Sequence, residues 1–167
     1  MLLMKLGSRE KFAFLQLAHY LARVDNSFGK EEEEVILEYC DEMGIENIDS
    51  FDMENFNLEA TLNNFKSKRS KKIVVLELMI LVHIDSVFNI NEQILIEKIS
   101  QNFGIETKDL NDFSSWGKSV AKLYEVAKVY MSDDYEVVSY KHLTLPTLCS
   151  LFCFFGGLSF YNLYTSY

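Results

Sequence analysis

The chain has one proline in 167 residues. Because proline removes a backbone donor and clashes with the preceding helical turn, long helices are free to form almost everywhere. Cysteine is scarce too: Cys40, Cys149 and Cys153 make neither an even disulfide framework nor a paired CxxC zinc pattern. This excludes a disulfide-built scaffold and points to a reducing compartment, so the expected location is cytoplasmic. Positive charge is in the minority, with 16 Lys and Arg against 25 Asp and Glu and a formal charge of -9. That balance argues against nonspecific attraction to nucleic acid. The opening "MLLMKLGSREKF" has too few apolar residues before charge sets in to form a signal-peptide core. No phosphate-cradling glycine loop occurs in the body of the chain, and no stretch alternates apolar and polar residues with period two, which excludes a sheet protein. What is abundant is apolar residue, 49% of the chain, enough for one core and one domain.

Sliding the sequence by 60 positions lays Leu21 on Leu81, Asp25 on Asp85, Phe28 on Phe88, Glu32 on Glu92, Ile36 on Ile96 and Gly44-Ile45 on Gly104-Ile105. A constant offset without gaps reads as a duplicated helical hairpin. Phe14, Leu17, Ala18 and Leu21 recur at helical spacing, as do Val74, Leu78 and Leu81, with Leu76, Met79 and Val82 broadening that stripe. Val35, Ile36, Tyr39 and Met43, then Leu95, Ile96, Ile99 and Phe103, define the second helix of each unit, which Gly44 and Gly104 end. A connecting helix is expected over 50–65 and a last one over 114–131. The expected fold is an all-α bundle of about six to seven helices, built from two pseudo-symmetric helix-hairpin repeats.

Asp25 and Asp85 extend the apolar stripes of their helices, and Glu32 and Glu92 precede theirs at the same spacings, so all four acids point inward at the loop ends. These loops are not EF-hands: the glycine and bidentate-acid positions hold Lys30 and Ile36, then Ile90 and Ile96. Two readings remain. In one, the acids fasten the hairpins, with "NINE" (89–92) a capping box that Gly29 and Glu32 imitate. In the other they converge on a divalent cation, Ca²⁺, Mg²⁺ or Mn²⁺, either in a binding module or in a metal-dependent enzyme. The remaining "EEEE" acids, with Glu38 and Asp41, read as solvated surface. "KSKRSKK" (66–72) has the charge to meet nucleic acid, lipid headgroups or an acidic partner, but as a short run without interleaved aromatics, next to Ser70 as a cap, it reads as a solvated linker. His19 and His83 lack a second ligand at metal spacing and read as packing residues.

Residues 138–147, "VSYKHLTLPT", resemble VSYTHLTLPT, the translated frame of a sequencing-library adapter, and differ from it only at Lys141. The domain is therefore expected over 1–137, with 138–167 a foreign segment. The alternative is a genuine hydrophobic tail over 143–167, the only route to membrane association.

The pattern of apolar helix, Asp, a short gap, a large apolar residue and Glu opening the next helix, given twice about sixty residues apart, resembles the TerB-like family, which includes tellurite-resistance proteins and a domain of a DnaJ-type membrane co-chaperone. The family usually has "ADG" where this chain has "VDN" and "IDS". The resemblance spans roughly residues 8 to 131. It implies a duplicated all-helical fold and an intracellular, stress-related setting, and the expected function is that of a non-enzymatic module of the stress-response or tellurite-resistance type acting on a protein partner. It also implies metal-binding acids at Asp25, Glu32, Asp85 and Glu92.

Overall fold

The computed structural model describes residues 2–25, 28–48, 51–84 and 89–132, with side chains through 127. Among them are a 3-10 turn, Leu3–Lys5, and six α-helices: α1 Ser8–Leu21, α2 Lys30–Met43, α3 Leu58–Leu62, α4 Lys68–Leu81, α5 Ile90–Phe103 and α6 Thr107–Ser132. The described residues contain no strand. This is the all-α bundle the periodicity predicts. The limits of α1 and α2 reappear sixty positions later as those of α4 and α5.

The two α2/α5 stops follow from glycine. Gly44 and Gly104 sit at φ of 65° and 67°, a left-handed conformation in which a Cβ is strained. The next amide then turns back: Ile45 N–H reaches the Cys40 carbonyl and Ile105 N–H that of Ser100. Lys11 adds its ammonium to the Met43 carbonyl at 2.7 Å, placing a cation at the negative end of α2.

The expected stripes are buried. Phe14, Leu17, Ala18 and Leu21 from α1 meet Val35, Ile36, Tyr39 and Met43 from α2, and Leu95, Ile96, Ile99 and Phe103 come from α5. The centre is α4, which packs against α1, α5, α6 and the 3-10 turn. Its run from Ile73 to Val82 is buried except at Leu76, as a helix apolar all round must be. Gly117 lets α6 approach α4 closely: a Cβ there would lie 2.6 Å from the Met79 carbonyl oxygen. Tyr39 ties the units together, its hydroxyl donating to the Glu77 carbonyl at 2.8 Å while its ring meets Phe14 edge-on.

Four expectations need correction. The connecting helix is only Leu58–Leu62, because Asn57 caps it by accepting the Ala60 N–H. Phe51 precedes it in irregular chain, against His19 and Phe56. The last helix begins at Thr107, ahead of the expected start. The basic run is the opening of α4, not a linker, and its cap is Ser67, whose Oγ accepts the Ser70 N–H at 2.9 Å. Glu38 is half-buried and accepts the Tyr124 hydroxyl at 2.5 Å, so it is not simple solvated surface. Residues 133–167, including the adapter-like segment, lie outside the described residues. Among those described, no helix is long and apolar enough to cross a membrane.

Candidate functional site

Glu32 and Glu92 are buried, 4% and 5% exposed, and each bonds back to the residue before its helix. Glu32 Oε2 accepts the Gly29 N–H at 2.6 Å, and Glu92 Oε2 accepts the Asn89 N–H at 3.0 Å. Asn89 completes the second cap through its Oδ1, which takes the Asn91 N–H at 3.0 Å. Glycine has no side chain to match that half, so at Gly29 the glutamate alone does the capping. Glu10 performs the same task for Gly7 at α1. The carboxylates thus satisfy amides that helix geometry leaves orphaned and lie at the positive end of the dipole.

Asp25 lies half-buried in the turn after α1. Its Oδ2 accepts from the Asn89 side-chain amide at 3.3 Å, across 64 positions of sequence. The loop-end Asp of the first unit therefore meets the helix cap of the second. Asp25, Asn89 and Glu92 form one connected corner. Asp85, the fourth expected acid, lies outside the described residues.

Beside Glu32 stands Arg23, whose attraction to Glu32 and Glu33 partly offsets the lowering of its pKa by burial. Its guanidinium covers the Phe28 ring at 3.7 Å and donates to His19 Nδ1 at 2.8 Å and to the His19 carbonyl at 3.0 Å. Arginine can only donate, so Nδ1 is the acceptor and Nε2 carries the proton, given to Asn47 Oδ1 at 2.8 Å. His19 is 1% exposed and stacked on Phe51. Burial first, then Arg23, lowers its pKa against the opposing bond from Asn47. Both ring nitrogens are engaged in structural bonds. His83, also buried, pairs with Ser114 Oγ at 3.2 Å. The packing role expected of both histidines fits these surroundings.

The sequence reading passed over a second acidic location. Glu77 is 2% exposed in the middle of α4, and its Oε2 has no hydrogen-bond partner. Burial, then the charge of Glu42, pushes its carboxyl up to about 8. Glu42, also buried, accepts the Leu3 N–H at 3.0 Å and so holds the 3-10 turn against α2. The signal was available: Glu77 is the single charge in "IVVLELMIL". A perturbed carboxyl marks a catalytic candidate when a cleft reaches it, but neither described groove is lined by Glu77 or Glu42.

A hard cation needs several oxygen ligands around one point. Among the described residues, no three His, Cys, Asp or Glu side chains gather in that way. Comparison of the chain with family models, with curated proteins and with solved structures finds no match.

Proposed function

We propose that this chain is a TerB-like helical protein of the stress-response, tellurite-resistance type, a cytoplasmic, non-enzymatic module that works through protein contacts. In this reading the duplicated acids chiefly fasten the hairpins and join the two units. A divalent cation (Ca²⁺, Mg²⁺ or Mn²⁺) acts at Asp25, Glu32, Asp85 and Glu92 only weakly and on top of that role. The observation that carries the reading is the bond from Asn89 to Asp25, which gives a loop-end acid a structural task between the units. The capping bonds of Glu32 and Glu92 support it, since they give each glutamate a structural task at the start of its helix.

Thermal melts of the full chain and of Asp25→Asn, Asn89→Ala and the double variant, with each cation and with chelator, test the fastening role. Each single change is expected to destabilise by about 1 kcal/mol, with a coupling of about 0.5 kcal/mol or more, and added cation should move the midpoints little. A wild type that loses stability in chelator, beside an Asp25→Asn chain that is more stable without metal, would reverse the order of the two roles. The stress setting is tested by deleting the gene and plating on tellurite: unchanged tolerance removes it.

A further inference from the structure

The opening of α4 differs from that of every other helix. Glu10, Glu31 to Glu33, Glu59, Glu92 and Asp109 place acids in the first turns of α1, α2, α3, α5 and α6, whereas α4 has none. It opens instead within the basic run of Lys66, Lys68, Arg69, Lys71 and Lys72, in a chain of net charge -9. Two of these cations are occupied within the fold: Lys72 pairs with Asp109 of α6, and Lys71 lies 5.5 Å from the Phe103 ring centroid. Lys68 and Arg69 are exposed and have no anionic partner among the described residues.

These side chains rim a shallow, open groove of about 380 Å³ between α4 and α6, lined by Lys68, Arg69, Lys72, Ile73, Leu76 and Phe113. Its floor is apolar and its cations stand at the edge. The groove has a counterpart at the start of α1, lined by Ser8, Arg9, Phe12, Ala13, Gln16 and Asn64. The α1 residues of that groove lie sixty positions before the α4 residues of the other. The two units therefore present a groove at the same place with different chemistry: Ser8, Phe12, Ala13 and Gln16 in one, Lys68, Lys72, Ile73 and Leu76 in the other. Only the second combines an aliphatic floor with clustered positive charge.

We infer that the α4–α6 groove docks an acidic, amphipathic segment of a partner protein, seating an aliphatic or aromatic side chain on Ile73, Leu76 and Phe113 and flanking carboxylates on Lys68 and Arg69. Charge complementarity chooses the sign of the partner, and Asp109 on Lys72 is a carboxylate of this chain already bound as the partner's would be. The apolar floor chooses the kind. A nucleic acid tracked by its phosphates has no use for an aliphatic floor, and the net negative chain opposes its approach. A bilayer surface meets a protein face broadly, whereas this groove admits a side chain or two. This inference goes beyond the cation reading and does not depend on the loop-end acids.

The test is selection of a phage-displayed random dodecapeptide library on the immobilised full chain, followed by fluorescence anisotropy of the enriched peptides. Enriched sequences should carry Asp or Glu around Leu, Ile or Phe and bind more weakly as salt rises. The Lys68→Glu/Arg69→Glu double variant should weaken them about tenfold, while Arg9→Glu in the counterpart groove should leave them unchanged. Both variants alter exposed side chains, and equal melting midpoints establish that they fold. The inference is overturned if no peptide is enriched, if the enriched peptides lack acids, or if the double variant binds them as well as wild type. It is overturned equally if phosphatidylserine vesicles or duplex DNA, in place of the peptides, show the dependence on Lys68 and Arg69.

Discussion

At the scale of single residues, buried titratable groups tie stability to pH in opposite directions. Glu77 has a folded pKa of about 8, above the ordinary carboxyl value near 4.3. The folded state therefore keeps a proton that the unfolded chain releases, and stability is lost as pH rises from the unfolded value through about 8. His19 is lowered instead. Its contribution is present above the imidazole's ordinary range and is lost as pH falls below about 6.5. Glu77→Gln removes the first slope without changing the size of the side chain. The variant is expected to come close to wild type below about pH 4 and to exceed it by about 3–4 kcal/mol at pH 7, measured by denaturant unfolding across pH. Equal stability of the two proteins at pH 8 would show that Glu77 is ionised at little cost in the fold.

At the scale of the helix, close approach matters more than propensity. Replacing Gly117 by alanine favours the helical state of α6 by about 1 kcal/mol, yet the new methyl falls against the backbone of Met79. Backbone moves less readily than a side chain tip, so the expected net result is destabilisation of about 1–2 kcal/mol, read as a lower melting temperature. A higher one would mean that α6 shifts freely on α4. Helices were also where the sequence was most legible. Stripes such as Phe14 to Leu21 and stops such as Gly44 follow from local rules, and the capping box at Asn89 and Glu92 was readable for the same reason. The α3 boundary was not, because Phe51 and Phe65 keep a helical spacing while Phe51 packs from irregular chain onto His19. Nor could spacing reveal that Asp25 would bond to Asn89: that contact depends on how two hairpins dock, which no local pattern encodes. The groove at Lys68 and Leu76 was hidden likewise, since Phe113 comes from another helix.

At the scale of the whole molecule, α4 is common property of the two units. It packs on α1 from the first and on α5 and α6 from the second, and Tyr39 of α2 is bonded to its backbone. Neither hairpin can separate while that helix keeps its partners, so opening should require the whole core to come apart in one cooperative step. In deuterated solvent, amides from Val75 to Leu81 should exchange slowest, at the rate set by global unfolding, and those of α3 much faster. An α4 that exchanges earlier than α1 would show two independently stable halves. The same helix therefore sets a clock for the protein: the interval between its openings is the longest the unbound fold keeps its core from water, and a partner that binds the folded state lengthens that interval.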